Sequence, residues 1–546
     1  MILRYILATL LITVSIPGWA VKEMGTTVVT ATRTSTTADE VLAPVTVITR
    51  EDIEKSTATD VYELLLQTPG VNLVNNGGTG KTSGLFIRGT NSGHVLFMVN
   101  GMRMKSATLG LTAFQQIPLE QIDRIEIVRG PRSSLYGSEA IGGVIQIFTR
   151  KGSGKIRPSI NVGFGTKSTY QVGGSLAGEV GDTQVNLTLN QFKTDGFDSL
   201  KLTDTNPDDD GYSNTSVNMD IEHSLSDRLS IGASFYRNQS AADIDSPFAF
   251  TQTDDYSDES IQQQWQIRTR YEPTNRWLIN LRAGESKDSN EQLQNGALFF
   301  GQEFISREKQ FSWQNDLSIG DNHLVTTGLD MVKSTVSGAG TESYRELSHS
   351  SHGIYGQWQY FTDHFDLLTA LRKDFAGLNE SPITGNIEMG IPVFQTYQIN
   401  IGFGTAFKSP TLNDLYFQDT VGGYGDPSIK PEESRSVELG LRSNTPYGHW
   451  QINGFTTQIE NLIQWVNYDP VNFPWGYRPE NVDESKISGF EFVTQWDIAK
   501  WHIGYNATLL NTEDKGTGND LARRAKINWN LDIGRTVYQA DCSLSV

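Results

Sequence analysis

The side chains whose spacing most plainly suggests chemistry are carboxylates. Asp198, Asp208, Asp209 and Asp210 fall in one polar connection, and Asp243, Asp245, Asp254, Asp255 and Asp258 fall in the next. A hard divalent cation such as calcium gathers several oxygen ligands, so two such connections lying side by side can converge on one ion. Charge runs are more often solvated loops, and that plainer account covers the same residues. Other constellations are absent from the sequence. It contains no HExxH pair, no GxxxxGK[ST] phosphate loop and no evident nucleophile-base pair, and its single cysteine, Cys542, excludes an internal disulfide or a thiolate metal cluster. These residues give no basis for an enzyme. With 63 acidic against 44 basic side chains the net charge is −19, which repels a phosphate backbone and argues against nucleic acid as a partner.

The elements that would carry such loops are strands. Residues 1–20 read as a secretory signal peptide: Arg4, the apolar run Tyr5 to Ile16, a Pro17-Gly18 break and the small residues Gly18 and Ala20, with cleavage expected after Ala20. Beyond it no uninterrupted apolar stretch approaches the roughly 20 residues that a spanning helix needs. An exported chain of this kind is either soluble or a closed barrel, the other spanning form with a fully paired backbone. From residue 153 to 546 the pattern is one of alternating segments between Asp/Asn/Gly/Ser/Pro clusters. Val185, Leu187 and Leu189 alternate with Gln184, Asn186, Thr188 and Asn190; Leu229, Ile231, Ala233 and Phe235 follow the same rule, as do Trp277, Ile279, Leu281 and Ala283, and Trp501, Ile503, Tyr505, Ala507 and Leu509. That period of two belongs to strands. The polar faces are rich in Asn, Gln, Thr and Arg, and short connections alternate with long acidic ones, which favours a membrane barrel with a wet lumen over a soluble β-sandwich or β-helix.

Residues 34–152 differ. Thr49 and Asp60 each stand three residues before a carboxylate, Asp52 and Glu63, at capping spacing ahead of short helices. Leu85-Phe86-Ile87 and Val95 to Val99 are apolar strand candidates, and Asn100-Gly101 predicts a tight hairpin turn into Met102-Arg103-Met104. A compact α/β unit precedes the barrel.

Three stretches of that unit, taken in order, carry a family resemblance: Ile87-Arg88-Gly89-Thr90, then Ile125-Glu126-Ile127-Val128-Arg129-Gly130-Pro131, then Leu135-Tyr136-Gly137-Ser138-Glu139-Ala140-Ile141-Gly142-Gly143-Val144-Ile145. They resemble the plug of TonB-dependent outer-membrane receptors. Phe407-Lys408-Ser409-Pro410, Lys430-Pro431-Glu432 and Ser488-Gly489-Phe490-Glu491 resemble that family's barrel. Within the family the chain is most similar to cobalamin receptors, through Val41-Leu42-Ala43-Pro44, Arg129-Gly130-Pro131-Arg132-Ser133 and Leu521-Ala522-Arg523-Arg524-Ala525-Lys526.

The resemblance implies an all-β transmembrane barrel of 22 antiparallel strands with an N-terminal α/β plug in its lumen, in the outer membrane of a Gram-negative bacterium. It also implies that the last strands of that pattern are missing after Val546. Residues 21–33 then hold the TonB box, Thr26, Thr27, Val28, Val29, Thr30 and Ala31, a β-prone stretch with no partner strand nearby that adds as a strand to the TonB energy-coupling protein. Arg88, Arg129, Arg132 and Glu139 would be costly in a dry core and are read as holding the plug against a polar wall. Cargo positions carried over from the family are Thr82, Gly84, Asn91, Leu109, Gly110 and Arg523; Gly84 replaces the usual Ser, and Asn100 replaces the usual Asp of the hairpin. Calcium ligands are expected at Asp198, Asp208, Asp210, Asp243 and Asp255, with no cofactor otherwise required. The implied function is import of cobalamin or a related corrinoid by a monomer in the outer-membrane lipid. The alternatives are a siderophore or other metal-chelate receptor, or a transport-incompetent paralogue; a passive porin would need neither plug nor coupling strand.

Overall fold

A computed structural model describes residues 27–545, apart from 39, 200–208, 246–254, 339–343, 345, 376–380, 395, 419–422, 472–475, 483 and 538–539. The expected signal peptide, Thr26, Asp208 and Asp254 lie outside the described residues.

Nineteen strands form one sheet in which all pairings are antiparallel, from Arg157–Phe164 at one edge to Ala540–Ser545 at the other. Strand follows strand in chain order, interrupted only by the separate hairpin Leu462–Asn467/Tyr477–Val482. The alternation is inverted relative to a water-soluble protein. Leu187 and Leu189 are exposed while Asn186, Thr188 and Asn190 of the same strand, Thr183–Phe197, are buried. Across the sheet the buried side chains include Asn218, Asn238, Gln262, Gln264 and Gln357, whereas Ile267, Leu371, Leu439 and Phe490 stand outward. An apolar exterior around a polar lumen is the arrangement a barrel needs in lipid. No helix of the described residues is long and apolar enough to cross a membrane. The tight turns 181–182, 227–228 and 275–276 share one end, while the longer connections that follow Phe197, Asp243, Lys408 and Glu460 leave the sheet from the opposite end, where 295–296 is again a tight turn. Short inner turns and long outer loops orient the barrel.

The plug is a five-stranded mixed sheet in the order Val45–Ile48, Ile122–Arg129, Gly143–Thr149, Val95–Val99, Met102–Arg103, in which only the third and fourth strands run parallel. Ile125, Ile127, Ile145 and Ile147 pack from this sheet onto Ile53, Val61 and Leu65 of two short helices, Arg50–Lys55 and Val61–Leu66. The Thr49 hydroxyl accepts from the Asp52 amide as the Asp52 carboxylate accepts from the Thr49 amide, a full capping box. Asp60 caps the second helix by accepting from the Glu63 amide. The hairpin turn is as expected: Asn100 and Gly101 both have positive φ, 50° and 82°, with Met98 opposite Arg103.

Introducing a charge on the outer face should be destabilising. Leu439→Arg, in the middle of Glu432–Thr445, is expected to lower unfolding stability in lipid vesicles by about 2–4 kcal/mol. Urea titration with an unchanged midpoint would contradict a lipid-facing Leu439.

Candidate cargo and coupling site

The charged residues of the plug meet partners on the barrel wall. Arg88 sits between Glu438 (3.0 Å) and Glu491 (2.7 Å), with its guanidinium carbon 4.3 Å from the centre of the Phe455 ring. Burial alone would lower its pKa, but Glu438 and then Glu491 hold it above the ordinary value. Arg129 shares Glu491 at 3.4 Å and donates to the Thr46 hydroxyl at 2.6 Å. Arg132 pairs with Glu388, and Ser134 donates to Asn386 Oδ1 at 2.7 Å. Glu139 is the exception: its carboxylate, expected against the wall, pairs inside the plug with Arg103 (3.0 Å) and Lys105, which keep it below the usual range against the upward push of burial, and only its amide reaches the wall, at the Phe407 carbonyl (2.9 Å). Isolated charges would not survive such burial, but these are paired and hydrogen-bonded. His94 completes the set. Its Nδ1 accepts from the Asn91 amide at 3.1 Å, and its Nε2 lies 2.6 Å from Glu432, which also holds Lys408 at 2.6 Å.

The segment expected to lack a partner strand has one. Thr27–Val28 pairs with Thr36–Thr37, and Val28, Thr30 and Ala31 are buried. One oxygen of Glu126 accepts from the Val29 amide (2.9 Å), the Thr30 amide (2.8 Å) and the Thr30 hydroxyl (2.6 Å); Tyr136 donates to the Thr30 carbonyl at 2.9 Å. Arg33 then crosses to the barrel. Its guanidinium lies 4.5 Å from the centres of both the Tyr136 and Tyr355 rings and 2.9 Å from Asp330, which Arg372 also meets at 2.7 Å. Burial opposes the charge on Arg33, and Asp330 more than restores it. Sequence reading passed over Glu126, Arg33 and Asp330. A signal for the first was present: Glu126 is a carboxylate between Ile125 and Ile127 in an otherwise apolar run.

The expected cargo positions fall on two separate outward apices of the plug. At the first, Thr82 is exposed, Gly84 lies against Ser92, and Asn91 accepts through Oδ1 from Arg524. Arg524 also donates to the Gly89 carbonyl (3.0 Å) and lies over the Phe86 ring. Its neighbour Arg523, singled out from sequence, is exposed, and its carbonyl accepts from Asn72 of the plug at 2.9 Å. A cavity of about 370 Å³ opens beside this apex, lined by Asn91, His94, Leu462, Gln464 and Arg524. At the second apex Leu109 is 60% exposed, while Gly110, at φ 69°, turns the chain against Thr411. The amides of Leu412 and Asn413 donate to Ala107 and Thr108, and Tyr344 and Phe417 pack edge to face above them.

In the acidic loops, carboxylate oxygens of Asp198, Asp210 and Asp245 all come within 4.8 Å of one another. Asp243 and Asp255 do not join them. The Asp243 carboxylate accepts from the Gly211 amide, and the Asp255 main chain is tied to Asn295, its amide donating to Asn295 Oδ1 and its carbonyl accepting from the Asn295 amide. Three convergent carboxylates are an oxygen donor set that fits calcium.

Removing one member of the plug-wall network should loosen the plug selectively. Glu491→Gln leaves Arg88 and Arg129 sharing too little negative charge, and is expected to cost about 3 kcal/mol in plug unfolding with the barrel intact. Urea titration read by proteolysis within residues 34–152 measures this, and an unshifted plug transition would contradict it.

Comparison with known proteins agrees with this geometry. Residues 37–144 match the model of the TonB-dependent receptor plug domain, and residues 157–541 match that of the TonB-dependent receptor-like β-barrel. The chain is 31% identical over 520 residues to the vitamin B12 transporter BtuB of Photobacterium profundum, covering 94% of this chain and 84% of that protein. It is 29% identical to the BtuB of Vibrio vulnificus, with 94% and 82% covered. Among solved structures, the siderophore receptor PirA from Acinetobacter baumannii superposes with a TM-score of 0.77 at 20% identity, covering 92% of this chain and 85% of that one. A ferric enterobactin receptor variant from Pseudomonas aeruginosa, in complex with enterobactin, gives 0.77 at 18% identity, with 92% and 86% covered. A barrel with a polar lumen, filled by an ion-paired plug and matched along both parts, makes this chain a member of the TonB-dependent receptor family of the Gram-negative outer membrane, a transport family and not an enzyme family.

Proposed function

We propose that the chain imports a corrinoid, cobalamin or a close relative, across the outer membrane. The observation that carries this is the similarity along nearly the whole chain to two vitamin B12 transporters. The chemistry of the plug apices is consistent with it. Two of the cations placed beside them are paired with carboxylates, Lys105 with Glu139 and Lys408 with Glu432, while Arg524 donates to Asn91 and Arg523 is exposed. The chain around them is acidic, with a net charge of −19. An anionic ferric chelate would meet an unfavourable field, whereas a corrinoid, large, flat and rimmed by amides, can be held by backbone groups, Asn91 and the apolar tip of Leu109. Calcium, where bound, would sit at Asp198, Asp210 and Asp245 and supply positive charge that draws the two outer connections together.

In this reading residues 26–31 couple the receptor to TonB. Strand addition needs free main-chain groups. The amides of Val29 and Thr30 are spent on Glu126, and Arg33 is anchored to Asp330, so the segment is held inside the plug and coupling requires its release. Cargo settling on the apices would shift the plug against its wall contacts and favour that release. A pull through the freed segment then opens a path beside the hairpin, where a cavity of about 610 Å³ is lined by Gly101, Arg103, Arg282 and Gln310; the bonds from Arg282 to the Gly101 carbonyl (3.1 Å) and from the Arg103 amide to Gln310 (2.9 Å) would have to break first.

Two measurements test the proposal. Purified protein is expected to bind cyanocobalamin and not ferric enterobactin; the reverse preference would assign it to siderophores. Val28→Pro should abolish uptake in a cobalamin auxotroph while leaving binding within about twofold, because proline removes a main-chain donor from the added strand. Continued uptake would refute coupling through this segment.

A further inference from the structure

The first outward loop of the plug carries a lysine that neither the plug fold nor the cargo reading requires. Lys81 lies between the strands Val71–Asn75 and Ser83–Ile87 and is 4% exposed. The loop reaches the barrel wall through glycines. Gly78, at φ 78°, lies on Phe197, and Gly80, at φ 78°, lies so close to the Tyr212 ring that a Cβ could not be accommodated. This approach delivers the Lys81 ammonium to the carbonyls of Gly211 (3.2 Å) and Asp243. Both carbonyls belong to the ends of the two acidic connections. Burial draws the lysine below its usual pKa, and Asp210, Asp243, Asp245 and Asp258 oppose that shift. Two of these, Asp210 and Asp245, belong to the converging trio with Asp198.

An ammonium that has given up water to lie among carboxylates does part of the work a bound cation would do: it offsets their mutual repulsion and fixes the backbone that carries them. It also raises the cost of adding a second cation at the same place, because like charges repel strongly where water is scarce. We propose that Lys81 is the resident counter-cation of the acidic outer loops, latching the plug's first apex to the barrel, and that a divalent ion must compete with it. The inference rests on reading Asp198, Asp210 and Asp245 as a cation site and adds its regulation: divalent ion and plug apex exclude one another, so ion binding frees the loop that carries Thr82 and leads into the strand of Gly84.

Calcium titration of the detergent-solubilised full chain, followed by calorimetry, tests this together with amide hydrogen exchange in excess chelator at residues 194–197 and 210–212. Lys81→Met is expected to bind calcium at least about tenfold more tightly than the unsubstituted protein. In chelator it should lose protection at those amides and regain it with calcium. Lys81→Arg, which keeps the charge, should resemble the unsubstituted protein and shows that the position tolerates substitution. Equal calcium affinity in Lys81→Met and the parent would overturn the competition while leaving the cation site standing. Calcium binding by neither protein would remove the cation site and the competition with it. Unchanged exchange in Lys81→Met in chelator would overturn the latch.

Discussion

Charge buried between plug and wall is the constraint on which the rest of this molecule depends. Arg88, Arg129, Arg132 and Glu139 would each be prohibitive in an apolar core, and Glu388, Glu438 and Glu491 would be equally costly alone in a narrow lumen. The three arginines and the three wall glutamates are satisfied together only when the plug is seated, whereas Glu139 is paired within the plug by Arg103 and Lys105. The network therefore specifies position more than it adds stability, since well-packed apolar residues could fill the same space without fixing one orientation. The polar lumen follows from the same demand: Asn, Gln, Ser and Thr side chains of the wall meet plug carbonyls, as when Gln264 donates to Val99 and Asn238 to Gln116.

The outer surface answers a different constraint. In lipid the backbone must pair with itself, which requires strands hydrogen-bonded to their neighbours, and the side chains alternate accordingly. One sequence period thus encodes two solvents, hydrocarbon outside and a hydrated protein interior within. The coupling segment is placed at the boundary of these demands. Its amides are bound by a plug carboxylate, Glu126, and its last residue by a wall carboxylate, Asp330, so a change in plug seating reaches the segment through side chains that both parts share.

Much of this was legible in the sequence. The alternation of Val185, Leu187 and Leu189 gave the barrel face, the turn at Asn100-Gly101 follows from two residues that tolerate positive φ, and Thr49 with Asp52 marked a helix start; each is a local rule with a local cause. The pairing of Arg88 with Glu438 and Glu491 was beyond local rules, because the partners lie more than 300 residues apart in the chain. The burial of Val28 was missed because the carboxylate that holds its segment, Glu126, lies 97 residues from the Val29 amide. The segment pairs with Thr36–Thr37, a strand of two residues that carries no alternation to read, while Glu126 holds its amides and Arg33 reaches Asp330. Among the acidic residues, spacing alone did not separate Asp243, which turns to the Gly211 amide, from Asp245, which joins Asp198 and Asp210. The side chain of Arg524 and not that of Arg523 engages the plug, and Arg523, at φ 63°, is a left-handed residue of the turn.

The most direct test of the central claim, that the amino-terminal unit is seated inside the barrel by contacts with its wall, is a cross-link between the two. Ser134 and Asn386 touch across that boundary at 2.7 Å, both buried. With Cys542 replaced by Ser, the pair Ser134→Cys and Asn386→Cys should form an intramolecular disulfide in isolated outer membranes on mild oxidation, seen as a faster-migrating band that reduction reverses. Failure to form it, with both thiols reactive to an aqueous reagent, would contradict the seated plug.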